Sequence, residues 1–166
     1  LPIEVTYFEG KGELVITGNL GNVMKESATI AIDYVRANAV KYGIDPKFFE
    51  SHGIHIHVPE GAVPKDGPSA GIALTTAVVS CLTNTKVKST VAMTGEVNLR
   101  GQALPIGGLK EKSLAALRSG LKTILIPRDN SKDISDLPHE VKSKLEIILM
   151  DNVDDALAVA FEKSDD

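Results

Sequence analysis

Residues 58–71 read VPEGAVPKDGPSAG, and residues 72–82 continue as IALTTAVVSCL. Residues 70–82 contain no charge and no proline, so they predict a helix that is buried on nearly every side. Pro68 suits the first turn of such a helix, because its missing N–H would be unpaired there in any case. The sequence therefore places the hydroxyl of Ser69 at the amino end of a buried helix.

Ser69 has two possible roles at this position. Serine is a favoured helix cap, and plain capping would explain its presence. Alternatively, the backbone N–H groups and the dipole of the helix could stabilise the oxyanion formed when a serine attacks a carbonyl group. A nucleophilic serine needs a base, and no histidine stands beside it. Residues 105–112, PIGGLKEK, instead offer the lysines Lys110 and Lys112.

The helical pattern that follows residue 109 does not choose cleanly between the two lysines. At about 100° per residue, Lys110 shares a face with the leucines of this segment, and this favours Lys110 for the apolar side. Lys112 lies toward Ala115, Ala116 and Ser119, whose small side chains would let another backbone approach closely. Either lysine would need a lowered pKa, because an ordinary lysine is only about a thousandth neutral near neutral pH.

Four blocks together carry a resemblance to a known family: VPEGA, PKDGPSAG, MTGE at residues 93–96, and PIGGLKEK. They resemble the proteolytic domain of the ATP-dependent Lon protease, of the bacterial A type, from about Thr17 to about Phe161. The resemblance implies an α/β fold with small mixed sheets and packed helices. It also implies a serine-lysine endopeptidase that degrades unfolded or damaged polypeptides through an acyl-enzyme.

The resemblance assigns roles to individual residues. Ser69 resembles the nucleophile, and Lys112 resembles the general base. Thr94 matches the threonine that hydrogen-bonds this lysine, and Asp66 with Gly67 matches the turn that shapes the oxyanion site.

The strand before this turn contributes two further candidates. Glu60 and Gly61 end the strand and are expected in a substrate groove, since a glycine permits close backbone approach and strand edges bind peptides by β-addition. His55 and His57 alternate on one face of the strand and could begin a metal site. No third Cys or His ligand follows at a suitable spacing, so we expect no metal and place the histidines near the cleft or in solvent.

Composition limits the remaining possibilities. The 166 residues are 43% hydrophobic, enough for one core, so a single domain spanning 1–166 is expected. The net charge of -4 gives no footprint for nucleic acid or for an anionic membrane. Cys81 is the sole cysteine and no leader opens the sequence, so we expect a reducing compartment, the bacterial cytoplasm.

The resemblance also implies what lies outside this sequence. No G-x-x-x-x-G-K-[ST] phosphate loop is present, so no cofactor is expected in this domain. ATP and Mg²⁺ are expected to belong to an ATPase module, which this sequence lacks along with the family's amino-terminal region. The resemblance implies a homo-hexamer for the full-length protein, acting on unfolded polypeptides.

The order of elements follows from hydrophobic periodicity and turn residues. We predict a hairpin of strands 3–8 and 13–17, a helix over 23–42, a strand over 54–58, and either two strands over 90–94 and 97–99 or a hairpin bent through Gly95. A helix over 109–119, a strand over 123–126, a short helix over 138–145, a strand over 146–150 and a helix over 153–161, capped by Asp151 or Asn152, complete the chain.

Two other classes of function remain as alternatives. The Gly-rich turn could cradle a phosphate, as in small-molecule kinases of the galactokinase type, although the second serine of such loops is missing. A non-catalytic module serving assembly or nucleic-acid binding is the other alternative, against which the acidic balance and the intact Ser69 and Lys112 argue.

Overall fold

The computed structural model describes residues 2–59 and 66–162. Its strands are β1 (Glu4–Glu9), β2 (Leu14–Thr17), β3 (His52–His57), β4 (Val91–Met93), β5 (Glu96–Val97), β6 (Ala103–Leu104), β7 (Thr123–Pro127) and β8 (Glu146–Met150). Its helices are α1 (Asn22–Ala37), α2 (Phe48–Ser51), α3 (Gly71–Thr83), α4 (Leu109–Arg118), α5 (His139–Lys144) and α6 (Val153–Ala160). The predicted α/β class is confirmed.

The predicted hairpin of the first two strands is wrong. β3 lies between them, antiparallel to β1 and parallel to β2, in the order β1-β3-β2. The turn after β1 does not close on itself, because the N–H groups of Gly10 and Gly12 donate to the carbonyl oxygens of Ser51 and His52, where α2 ends and β3 begins. The connection between β1 and β2 therefore crosses the end of β3, and β1 and β2 pair with opposite edges of β3.

The second sheet is parallel, in the order β4-β7-β8, and a separate antiparallel pair joins β5 to β6. Of the two alternatives for residues 90–94 and 97–99, the bent hairpin is wrong, because β4 and β5 do not pair and Gly95 does not turn the chain back. The separate strands β4 and β5 agree with the other alternative. The N–H of Gly95 donates to the carbonyl oxygen of Ser69, and its own carbonyl accepts from the N–H of Ile72. These bonds attach the carboxyl end of β4 to the start of α3.

Helix α3 is central to the fold, as its uncharged sequence predicts. Ile72, Leu74 and Val78 are fully buried, and α3 packs mainly against α1. Its cover is not complete, however, since Ala73 and Ala77 are only half-buried. A second core forms where α4 and α5 pack on the parallel sheet.

The remaining helices follow the prediction with local differences. The predicted helix over 23–42 ends at Ala37 and resumes as a 3₁₀ turn at Val40–Tyr42, before the left-handed Gly43. Asn152 caps α6 by accepting from the N–H of Asp155. The 3₁₀ segment Arg128–Asp136 and strand β6 were not predicted. None of the helices in residues 2–59 and 66–162 has the length and apolar character of a membrane-spanning segment.

Candidate active site

Ser69 is fixed by its backbone just before α3. Its carbonyl oxygen accepts a hydrogen bond from Gly95 N–H at 2.8 Å and one from the hydroxyl of Thr94 at 3.5 Å. The next turn lies so close to β5 that a Cβ on Gly71 would be 2.7 Å from the backbone nitrogen of Val97. The serine is therefore positioned by main-chain contacts with β4 and β5, which leaves its side chain available for another role.

The capping role that serine often has is not the one seen here. The N-cap of α3 is Ala70, and no N–H of the described chain donates to the Ser69 hydroxyl. The first helical N–H groups are also paired, since Gly71 donates to Pro68 and Ile72 donates to Gly95. Within the described residues, the N–H groups of Ser69, Ala70 and Ala73 have no acceptor, so these three are the candidate donors to an oxyanion.

Lys112 lies on the first turn of α4, with a half-buried side chain. Burial lowers the pKa of its amine, and the nearby charge of Glu111 raises it to a lesser extent. Nζ donates a hydrogen bond to the carbonyl oxygen of Gly107 at 3.3 Å. A lysine in this setting reaches its neutral form at a lower pH than an exposed lysine.

The periodicity argument for Lys110 is wrong, because that side chain is exposed. The buried stripe of α4 consists of Leu109, Ser113 and Ala116, so the helix is rotated away from the face that the leucine spacing indicates. Lys112 then lies at the border of this stripe, among the small residues that favoured it.

Ser69, Lys112 and Thr94 line one cavity of about 230 Å³. Its other walls are largely apolar and come from the start of α3, from β4, from α4 and the residues after it, and from β7: Ala70, Ala73, Ala92, Met93, Ala115, Ala116, Ser119, Leu121 and Ile124. Within the described residues, no hydrogen bond joins the Ser69 hydroxyl to the Lys112 amine. Both groups nonetheless open into the same partly enclosed space, where a carbonyl group could lie between them.

Thr94 is buried, with 5% of its surface exposed. Its hydroxyl donates to the Ser69 carbonyl rather than to Lys112, and no bond between Thr94 and Lys112 occurs in the part of the chain that the structure describes. Thr94 therefore supports the serine segment in this state, and its contact with the lysine stays a prediction.

Asp66 and Gly67 form the turn that leads to Ser69, but the carboxylate of Asp66 points to another helix. It accepts the N–H of Met24 at 2.9 Å, at the start of α1. Bonds from the N–H groups of Met24, Gly67 and Val23 lower the pKa of Asp66. Gly67 has φ +104°, which favours glycine. Asp66 thus links the serine turn to α1.

The sequence analysis missed Asn130, which lies in the 3₁₀ segment after β7 and is 1% exposed. Its side-chain oxygen accepts the N–H of Ile106, and its amide nitrogen donates to the carbonyl oxygen of Ile106 and to the carboxylate of Asp133, each at 2.9 Å. These bonds fix the loop that carries Gly107, the acceptor of the Lys112 amine. An asparagine 24 residues from its partner leaves no local signal in sequence.

Of the remaining candidates, those that the structure describes do not line this cavity. Glu60 and Gly61 lie outside the described residues. His55 and His57 both hydrogen-bond the hydroxyl of Thr17, at 2.9 and 2.7 Å. No cluster of three or more His, Cys, Asp or Glu side chains suited to a metal occurs in residues 2–59 and 66–162. Burial raises the pKa of the Cys81 thiol.

Comparison with known families defines the class of protein to which this fold and cavity belong. A family model described as "Lon protease (S16) C-terminal proteolytic domain" matches residues 1–163. The chain belongs to this family of proteolytic domains. The resemblance carried by the four sequence blocks is thereby confirmed, and it extends beyond the range from Thr17 to Phe161.

Individual relatives agree with the family. The chain is 58% identical over 163 residues to a protein named "Lon protease" from Chloroflexus aggregans, with 98% of the chain and 20% of the relative covered. It is 54% identical over 168 residues to "Lon protease 1" from Myxococcus xanthus, covering 100% of the chain and 21% of the relative. The "Lon protease" of Brevibacillus choshinensis is 55% identical over 163 residues, with 98% of the chain and 21% of the relative covered. The chain thus spans about a fifth of the length of these relatives.

Proposed function

We propose that the chain is a serine-lysine endopeptidase, with the Ser69 hydroxyl as nucleophile and the Lys112 amine as general base. One observation carries this proposal: the two groups line a single cavity, and burial of the lysine there lowers its pKa. A lysine of lowered pKa supplies the neutral amine that can accept a proton from a serine hydroxyl.

The reaction follows in two steps. The Ser69 oxygen attacks the carbonyl carbon of the scissile peptide bond, and its proton passes to the neutral Lys112 amine. The C–N bond then breaks as Lys112 returns the proton to the leaving amine, which leaves an ester on Ser69. Water then attacks the carbonyl carbon of this ester and gives a proton to Lys112. Lys112 passes that proton to the Ser69 oxygen as the ester C–O bond breaks, which releases the acid and restores Ser69.

Substrate binding must change one contact before this chemistry begins. Lys112 Nζ donates to the Gly107 carbonyl, and this bond must give way to a contact with Ser69. Catalytic hydrogen bonds are often long or absent before the substrate is bound, so this arrangement is compatible with an enzyme at rest. In the proposed mechanism, Thr94 orients the lysine once that contact forms, as a neutral partner that does not raise its pKa.

Further proposals concern the longer protein and rest on the resemblance to Lon proteases. We propose that it degrades unfolded or damaged polypeptides as a homo-hexamer in the bacterial cytoplasm. ATP and Mg²⁺ would serve an ATPase module outside this chain, and the proposed hydrolysis itself uses no cofactor. Nucleic-acid and membrane binding form no part of the proposal, in keeping with the net charge of -4.

Hydrolysis of an internally quenched, unstructured peptide tests the proposal in three variants. We expect Ser69→Ala and Lys112→Ala each to lower kcat by roughly 10³-fold or more, as is usual when one member of a catalytic pair is removed. Lys110→Ala is the matched control, since this lysine lies two residues away and is exposed, and it should retain activity. Full activity in Lys112→Ala would contradict the assignment of the base.

A further inference from the structure

A groove continues from the Ser69 cavity along the uncovered side of α3. A second cavity, of about 260 Å³, shares four lining residues with the first: Ala73, Ala92, Met93 and Leu121. Its other walls are Ile3, Thr76, Ala77, Val87 and Val91. We call the two cavities together the β4 groove, because β4 forms one side and α3 the other. All of its walls beyond Ser69, Thr94 and Lys112 are apolar or small, except for Thr76 and Ser119.

The edge of β4 that faces this groove pairs with no other described strand. In a parallel strand, the N–H and C=O of one residue point to one side and those of the next residue to the other. Thr94 N–H donates to Leu125, and the carbonyl of Thr90 accepts from Thr123, so these residues point toward β7. The backbone polar groups of Val91 and Met93 therefore point away from the sheet, on the edge that borders the groove.

This edge leads directly to the serine. Gly95 is the next residue in the same alternation, and its outward N–H and C=O bind Ser69 and Ile72. An extended chain that paired with Val91 and Met93 would thus run along the same edge that fixes Ser69. Unpaired strand edges of this kind add a further strand readily.

Thr76 gives an independent indication of a ligand in the groove. It is 2% exposed, and its hydroxyl is the one buried side-chain polar atom in residues 2–59 and 66–162 that has no hydrogen-bond partner. The hydroxyls of the two other threonines of α3 do have partners, since Thr75 donates to the carbonyl of Gly71 and Thr83 to that of Val79. An unpaired buried hydroxyl is unfavourable unless something else binds it.

We propose that the β4 groove binds an extended, apolar segment of the polypeptide substrate, which adds as a strand to the edge of β4 and accepts a hydrogen bond from Thr76. This inference rests on the proposed function, because it assigns the groove to the substrate of Ser69. A polypeptide fits better than a small ligand, since the outward groups of Val91 and Met93 repeat at the spacing of a strand and the walls between them are apolar.

Binding can be measured apart from catalysis in the Ser69→Ala background. A fluorescein-labelled peptide of alternating valine and serine, with blocked ends, serves as the probe, and anisotropy gives its Kd. We expect Ala77→Leu, which fills the groove outside the Ser69 cavity, to raise Kd at least tenfold. Ala37→Leu makes the same change at an exposed position of α1 and should leave Kd unaltered. Equal Kd values for the two variants would overturn the proposal.

Thr76 provides a second variant that is not expected to disturb folding. Thr76→Val removes an unpaired oxygen, so it should raise Tm while it weakens peptide binding, and Thr76→Ser should retain binding. Two further peptides carry N-methyl groups on their odd-numbered or on their even-numbered residues. Only one of the two should bind more weakly, because only alternate N–H groups of an added strand point toward β4. Equal binding by all N-methylated peptides, or by Thr76→Val, would contradict this mode. Undiminished peptide hydrolysis in Ser69→Ala, with the binding effects as expected, would instead contradict the proposed function and leave the groove assignment standing.

Discussion

Replacing Asn130 by alanine should loosen the loop that carries Gly107 and so disturb the lysine that it anchors. Asn130 is 1% exposed and makes two bonds to the backbone of Ile106, one in each direction. Its removal leaves a backbone N–H and a backbone C=O of Ile106 without partners. Each unsatisfied buried group costs about 1–3 kcal/mol, and because Ile106 is half-buried and partly reached by water we take the lower part of that range, about 2–4 kcal/mol in all.

Thermal and urea unfolding measure this change. For a chain of 166 residues, 1 kcal/mol corresponds to about 2–4 °C, so we expect Tm to fall by about 4–16 °C. Peptide hydrolysis should fall as well, because a loosened loop before α4 leaves Lys112, on the first turn of that helix, less well positioned. Asp129→Ala changes an exposed neighbour and should alter neither. A loss of less than about 1 kcal/mol in Asn130→Ala would refute the reasoning, because neither Ile106 group would then depend on Asn130.

The pH dependence of Asn130→Asp refines the same test. This variant keeps an acceptor for the Ile106 N–H but loses the donor, and it places a second carboxylate beside Asp133. Repulsion between two adjacent carboxylates raises the pKa of one of them in the folded state. The folded protein is therefore least destabilised at low pH, where that carboxyl is protonated, and it loses stability as pH rises through the raised pKa. We expect a larger deficit at neutral pH than at acidic pH. A deficit that does not depend on pH would contradict the contact with Asp133.

Two further predictions concern charged groups around the site. Asp66→Ala should lower Tm near neutral pH, because the N–H of Met24 at the amino end of α1 loses its acceptor. The pKa of Asp66 in the folded state lies below the ordinary 3.8, so its contribution to stability is present above pH 3.8 and is lost as pH falls through the folded pKa. The Tm difference from the parent should therefore vanish in acid, and Asp33→Ala, at an exposed position of α1, is the control. Glu111→Gln removes the charge that raises the pKa of Lys112, so the rising limb of the pH–activity profile should move to lower pH. Glu26→Gln, at an exposed position of α1, should leave that limb in place. A shift to higher pH in Glu111→Gln would be contrary to this electrostatic role.

The sequence predicts the local elements of this fold better than their pairing. The uncharged run of α3 lies where it is predicted, and the alternating strand β3 lies within two residues of its predicted position. Such elements are predictable because the spacing of apolar residues along a short stretch indicates which of its faces are buried. The order β1-β3-β2 is not local in this sense. The turn at residues 10–13 has the composition of a hairpin loop, and only its hydrogen bonds to Ser51 and His52 show that it encloses another strand.

The candidate site shows the same division. The motif resemblance named Ser69, Thr94 and Lys112, and the structure brings these three to one cavity. Periodicity alone favoured Lys110, because leucine spacing indicates an apolar face but not which part of that face a neighbouring element covers. Asn130 and the contact of Asp66 with α1 join residues 24 and 42 positions apart, and such pairs cannot be inferred from one sequence.

The central claim is that a neutral Lys112 amine activates Ser69, and the rate of Ser69 modification by a small fluorophosphonate tests it most directly. Intact mass gives the rate as a function of pH, without any need for substrate binding in the β4 groove. We predict a rate that rises with pH to a plateau, with a midpoint below the 10.5 of an ordinary lysine, in the parent and in Lys110→Ala, and no such rise in Lys112→Ala. An unchanged profile in Lys112→Ala would contradict the account.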